Sequence, residues 1–231
     1  MLKVEKLNQF YGESNILRDV TLQAPPGQCT CLLGRNGVGK TTLLQCVMGL
    51  LPARSGRIVF NGQDITGWPP ERRARTGLGY VPQGRQIFPL LTVEENLRIA
   101  LPARRDGKRS IPDSVFAFFP VLKEMLRRRG GDLSGGQQQQ LAIARALVLD
   151  PLFLILDEPT EGIQPNIVQE IVAIVGRLTK ETGLSVLQVE QKVPVARKIA
   201  ANYAIMERGH IVDAGAMAGL SAEAIKNFLS V

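Results

Sequence analysis

Near its start the chain combines glycine, lysine and a hydroxyl at spacings that suit phosphate: Gly34-Arg35-Asn36-Gly37-Val38-Gly39-Lys40-Thr41. The segment fits the pattern of a phosphate-binding loop in full. Its glycines let backbone N–H groups turn inward around phosphate oxygens. Lys40 then supplies positive charge to the β- and γ-phosphates of a nucleotide, and the Thr41 hydroxyl is placed for Mg²⁺. The contacting set expected here is Asn36, Gly37, Val38, Gly39, Lys40, Thr41 and Thr42. A chance glycine-rich turn is the bland alternative. Against it, the segment follows the strand-like run Cys29 to Leu33 and precedes the helical run Thr42 to Met48, the context the pattern requires.

A second chemical feature is Leu152-Phe153-Leu154-Ile155-Leu156-Asp157-Glu158, an apolar strand ending in two carboxylates. Asp157 is placed to hold Mg²⁺, directly or through water, and Glu158 to polarise an attacking water as general base. A strand merely meeting solvent could end the same way; the phosphate loop in the same chain argues otherwise. The third feature is Leu133-Ser134-Gly135-Gly136-Gln137, which opens the helix running through Ala142, Ala144, Arg145 and Ala146. Its hydroxyl and backbone donors at a helix N-terminus suit an anion. One chain thus carries two phosphate-type sites.

The order of phosphate loop, LSGGQ and acid-ended strand resembles the nucleotide-binding subunits of ABC transporters, over essentially the whole chain. The resemblance implies an α/β fold: a P-loop NTPase (RecA-like) core with an N-terminal antiparallel β subdomain and an inserted helical subdomain at about residues 85–150, together one ABC ATPase domain over residues 1–231. It implies ATP and Mg²⁺ as cofactors. Ser134, Gly135, Gly136 and Gln137 would cap the γ-phosphate held by a partner subunit's phosphate loop. Only one of each motif is present, so two active sites need two subunits: a homodimer, or a heterodimer with a related ATPase. Tyr11 lies where an aromatic ring stacks on adenine, with a packing tyrosine as the alternative. Gln83, in Tyr80-Val81-Pro82-Gln83, matches a glutamine that contacts Mg²⁺ or the attacking water. The segment Gly84 to Asn96 would face integral membrane permease subunits, and a periplasmic solute-binding protein would be an indirect partner. Such a subunit sits peripherally on the cytoplasmic face of the inner membrane.

Two departures from the family pattern narrow the resemblance. Many relatives have a histidine after the strand that follows the acid pair; here Val186-Leu187-Gln188-Val189-Glu190 is followed by Gln191. The loop after Glu158 commonly carries an aspartate but here reads Glu161-Gly162-Ile163-Gln164-Pro165. Both resemble importers of branched-chain amino acids and of urea or short amides. Val81-Pro82-Gln83-Gly84-Arg85, Thr92-Val93-Glu94-Glu95-Asn96 and Glu158-Pro159-Thr160-Glu161-Gly162-Ile163-Gln164-Pro165 look closest to the urea-importer ATPase. By this resemblance Gln191 replaces the histidine and positions the γ-phosphate, while Glu158 remains the base. A glutamine amide can donate a hydrogen bond but cannot relay a proton near neutral pH.

Positioning these groups requires particular elements. Leu2 to Glu5 alternates as a half-buried strand does. Asn61-Gly62 between two strand-like runs is a hairpin signal, because both turn residues accept positive φ, and Met206 to Val212 reads as a second hairpin. Helices occupy about Thr92 to Leu149, with Pro120 starting a new one. Pro165 opens another helix, and Leu184 to Val189 is a strand. Alternating strands and helices imply a parallel sheet covered by helices.

Composition bounds the rest. The 231 residues suit one domain, and 45 % hydrophobic content suffices for a core. No apolar run of about 18 residues exists, and the N-terminus lacks a signal-peptide pattern, so a cytosolic protein is expected. Cys29, Cys31 and Cys46 read as buried reduced thiols. The net charge of +7 clusters in Arg72-Arg73, residues 104–109 and Arg127-Arg128-Arg129. These clusters lack interleaved aromatics, so a solvated face or anionic lipid explains them as well as nucleic acid does. A nucleic-acid-handling ABC ATPase is the alternative, but such proteins carry long insertions or two cassettes, and no nucleic-acid partner is expected. A binding module without hydrolysis conflicts with an intact Glu158.

Overall fold

A computed structural model of the chain describes residues 1–229. Strands β1 (Leu2–Tyr11) and β2 (Ser14–Ala24) pair antiparallel, and β3 (Cys29–Leu33) runs into helix α1 (Lys40–Met48). Next come β4 (Ser55–Phe60), β5 (Gln63–Asp64), α2 (Pro70–Arg75) and β6 (Leu78–Val81). Four helices follow: α3 (Val93–Arg98), α4 (Asp113–Phe118), α5 (Pro120–Glu124) and α6 (Gly135–Val148). Then β7 (Phe153–Asp157), α7 (Pro165–Thr182), β8 (Ser185–Glu190), α8 (Val193–Ile199), β9 (Asn202–Glu207), β10 (His210–Ala216) and α9 (Ala222–Phe228) complete the order.

The strands form two sheets. One is antiparallel, in the order β2-β1-β4-β5; the other runs β10-β9-β3-β8-β7-β6 and is parallel except for the β9–β10 hairpin. Both predicted hairpins are present. Asn61 and Gly62 turn with φ 48° and 83°, the positive values that a tight hairpin needs. Arg208 and Gly209 make the second turn, and His210 is the first residue beyond it, paired with Glu207.

The parallel strands are buried on both faces, as their unbroken apolar runs demand. Leu187 and Val189 of β8 pack with α1 and the antiparallel sheet, whereas Val186 faces the cluster formed by α6 and α7. In β7, Phe153 and Ile155 face α1, and Leu154 and Leu156 face α6 and α7. Burying each such side chain contributes about 2 kcal/mol, enough in sum to fix the strand order beneath the site. Phe119 breaks the helical path with φ −129° and Pro120 opens α5 at its first position. The three cysteines are buried and unpaired.

The basic clusters divide. Arg127, Arg128 and Arg129 are exposed. Arg73 is 2 % exposed, and its guanidinium donates to the carbonyls of Cys46 and Val47 at 2.7 Å each, of Thr66 at 2.7 Å and of Trp68 at 2.9 Å. It therefore caps the C-terminus of α1, which favours a cation. Arg72 stacks over the Trp68 ring at 3.7 Å.

Candidate active site

The phosphate loop spans the turn from β3 to α1. Gly39 is the N-cap of α1 with φ 108°, a conformation that side chains rarely adopt, and no side chain caps the helix. The first N–H groups of α1 are therefore open to an anion. Tyr11, Ile16, Asn36, Gly37, Gly39, Lys40, Thr41, Thr42, Gln83 and Glu158 line one cavity of about 360 Å³. Val38 does not line it: its side chain packs toward the core and its carbonyl accepts from Gly209 N at 3.0 Å. Tyr11 is half exposed at the cavity edge, its hydroxyl 3.4 Å from Gln45 Oε1.

Lys40 is buried, and its ammonium group donates to the carbonyls of Gly34 at 2.8 Å and Arg35 at 2.7 Å. It also pairs with Glu158 Oε1 at 3.3 Å. Glu158 has φ 48°, a left-handed conformation that is strained for a side-chain residue and common at functional sites. Its Oε2 accepts from Gln191 Nε2 at 2.6 Å, and the same nitrogen donates to Asn36 Oδ1 at 2.7 Å. Gln191 is thus no solvated surface residue; it bridges the phosphate loop and the acid. Behind it, buried Glu190 accepts from Thr160 Oγ1 at 2.6 Å and from the backbone N–H groups of Gln191 and Lys192 at 2.9 Å.

Asp157 ends β7 beneath the cavity with only 1 % exposure. Burial raises its pKa to about 6, and the Glu158 charge adds to the rise; the Thr41 hydroxyl, Lys40 and the Tyr80 hydroxyl pull it part of the way back. Neither carboxylate oxygen has a partner in hydrogen-bond geometry. A buried carboxylate with both oxygens unpartnered, next to a threonine hydroxyl, fits a hard divalent cation.

Ser134, Gly135, Gly136 and Gln137 lie at the start of α6 and do not line the cavity. Ser134 Oγ accepts from Gln137 N at 3.3 Å, and Gln137 Oε1 accepts from Ser134 N at 3.0 Å, a reciprocal cap. The exposed serine hydroxyl keeps its proton free to donate. Gly136 is buried, and a Cβ there would sit 2.6 Å from Ile167 of α7, so its glycine is required by packing. Sequence reasoning missed Ile16 as a lining residue, Glu190 as an anchor and Glu161 as a partner of Gln83. Glu161 had shown itself only as a departure from a family pattern, and Glu190 only as the polar end of a strand.

A phosphate loop on a strand-to-helix turn, an acid pair on the next strand but one, and an inserted helical segment with a second anion-type helix end define an ATP-binding cassette. The sequence profile described as ABC transporter matches residues 17–161, and the chain belongs to that family. The high-affinity branched-chain amino acid transport ATP-binding protein BraG of Pseudomonas aeruginosa is 41 % identical over 219 residues, 94 % of each chain. The probable branched-chain amino acid transport ATP-binding protein LivF of Archaeoglobus fulgidus is 39 % identical over 214 residues, 91 % of this chain and 90 % of its own. A nucleotide-free ATP-binding cassette from an ABC transporter superposes with TM-score 0.84 at 29 % identity, covering 100 % of this chain and 95 % of that one. The chain is an ABC-type ATPase that binds nucleotide, in the importer branch its motifs resemble. Among the described residues no helix is long and apolar enough to cross a membrane.

Proposed function

We propose that the chain is the ATP-hydrolysing motor of a membrane importer and works as a dimer that sandwiches ATP between two subunits. The observation that carries this is the separation within one chain: Lys40 and Glu158 line a cavity, with Gln191 bonded to Glu158, and Ser134 does not line it. A partner's Ser134 helix end would complete each site, from a second copy or a related ATPase.

In this reading Asn36 to Thr42 cradle the phosphates and Tyr11 stacks on the base. Asp157, Thr41 and Gln83 hold Mg²⁺, which when bound neutralises charge on the phosphate oxygens. Glu158 accepts a proton from water as the water oxygen bonds to the γ-phosphorus and the bridging P–O bond breaks, ADP keeping the electron pair. Gln191 donates to the γ-phosphate and positions it. Ser134 and the α6 N-terminus stabilise the same charge from across the dimer.

The domain is one cassette with its helical subdomain at about residues 85–150. Residues 84–96 would meet the permease subunits at the cytoplasmic face of the membrane. Two solute classes fit. The names of BraG and LivF support branched-chain amino acids, and the loop segments around Gln83 and Glu161 support urea or short amides. Specificity then lies in other chains.

Lys40→Ala is expected to weaken ATP binding, whereas Glu158→Gln keeps the shape, retains ATP and accumulates as a closed dimer. Light scattering with Mg-ATP measures this directly. A Glu158→Gln protein that stays monomeric at high concentration with ATP counts against the sandwich.

A further inference from the structure

We infer that Glu161 is a positioning residue for Gln83 and, through it, for the cation that Gln83 would bind. This rests on the ATPase-site reading above. Gln83 Nε2 donates to Glu161 Oε2 at 2.8 Å. A side-chain amide has one donor end and one acceptor end, and only the oxygen can ligate a cation. An ionised carboxylate accepts and never donates, so it selects the nitrogen and blocks the amide flip. The oxygen is then the end left for the cavity that Gln83 lines with Thr41 and Glu158. Partners of this kind orient metal ligands, and their loss costs about 10–100-fold in affinity or activity.

Glu161 is itself well placed to do this. Its backbone N–H donates to Glu158 O at 3.1 Å, so the general base and Glu161 are the two ends of one turn. The next residue, Gly162, has its carbonyl 3.5 Å from Arg85 Nη2, a long contact. Arg85 Nη1 donates to Gln138 Oε1 of α6 at 3.1 Å. The loop carrying Gln83 is therefore tied, at residues 83 and 85, to the loop carrying Glu158. Arg85 and Gln86 hold this path with φ 68° and 46°. Any shift of the 83–86 segment moves the amide relative to the acid pair.

The test uses the full chain with Glu161→Ala and Glu161→Gln. In the nucleotide-free, ¹⁵N-labelled protein, the Gln83 side-chain NH₂ signal is identified by its loss in Gln83→Ala. It should stand apart from solvent-exposed amides in the starting protein and move to their position in Glu161→Ala. Mn²⁺ affinity, read by electron paramagnetic resonance with a non-hydrolysable ATP analogue, should fall about tenfold in Glu161→Ala. Glu161→Gln should lose much less, because its amide oxygen still accepts from Gln83. Analogue binding in EDTA should be unchanged in both. In a Gln83→Ala background, Glu161→Ala should add nothing. Unchanged Mn²⁺ affinity in Glu161→Ala beside a defective Gln83→Ala would overturn the inference alone. So would additive losses, or a Glu161→Gln as damaged as Glu161→Ala, which would mean a charge effect. A Gln83→Ala protein with full Mn²⁺ affinity would overturn the underlying site assignment as well.

Discussion

Asp157→Asn separates the cost of burying a carboxylate from the benefit of the cation it is proposed to hold. Burial holds the Asp157 pKa at about 6, against an ordinary 3.8. As pH rises through that window the unfolded chain gives up its proton first, so the folded state loses stability. By pH 8 the shift of about two units amounts to about 3 kcal/mol of destabilisation, and at pH 4 to about 0.5 kcal/mol. Asparagine carries no charge at either pH; its unpaired amide costs a fixed amount, about 1–3 kcal/mol. The stability difference between variant and parent should therefore swing by about 2.5 kcal/mol in favour of Asp157→Asn from pH 4 to pH 8, roughly 1 M in urea midpoint. Trp68 is the only tryptophan and packs beneath Arg72, so its fluorescence reports unfolding of nucleotide-free protein in EDTA. The variant should also lose Mg-dependent hydrolysis. Parallel pH profiles for the two proteins would refute the claim that burial raises the Asp157 pKa.

A Ser134→Arg chain mixed with a Lys40→Ala chain should regain about a quarter of full ATPase activity if pairing is random, because half of the dimers then hold one intact composite site. Proven mixed dimers with no recovery would show that Ser134 does not complete the partner's site. Gln191→Ala should lower turnover about tenfold or more by removing a donor from the transition state, while Gln191→His keeps substantial activity. His210→Ala should leave turnover nearly unchanged at saturating Mg-ATP; its failure in a folded protein, beside a silent Gln191→Ala, would reverse the assignment.

Much of the fold was legible because its signals are local. Asn61-Gly62 and Pro120 act within a few residues, and the structure uses both as expected. β1 shows the limit. Alternation is visible from Leu2 to Glu5 and then breaks, because Lys6 takes φ 46° in a bulge and moves the buried positions from Leu2 and Val4 to Leu7 and Gln9. β2 escaped notice for the same reason: Asp19 has φ 48°, and the buried set Leu17, Val20, Leu22 and Ala24 spans a three-residue step. A bulge adds one residue to one strand, so a period of two cannot survive it. Arg73 was hidden differently, since nothing in an arginine pair says which guanidinium will meet helix-end carbonyls from residues 26 and 27 positions away.

The sequence offered the candidate residues of the site but not their partnerships, and the proposed mechanism rests on those partnerships. Lys40 has three N–H bonds, and all three are engaged: two by carbonyls at 2.7 and 2.8 Å, one by Glu158 at 3.3 Å. The carbonyls belong to the loop itself. In the proposed reaction an arriving γ-phosphate would compete with Glu158, the longest of the three contacts. Glu158 would then turn toward water, its other oxygen being the one that accepts from Gln191 at 2.6 Å. On this proposal, occupation of the cradle and release of Glu158 become one event, without a titrating histidine. On that reading a glutamine suffices at position 191: its two N–H bonds go to Asn36 at 2.7 Å and Glu158 at 2.6 Å, a γ-phosphate would replace one of these acceptors, and an amide nitrogen donates without titrating.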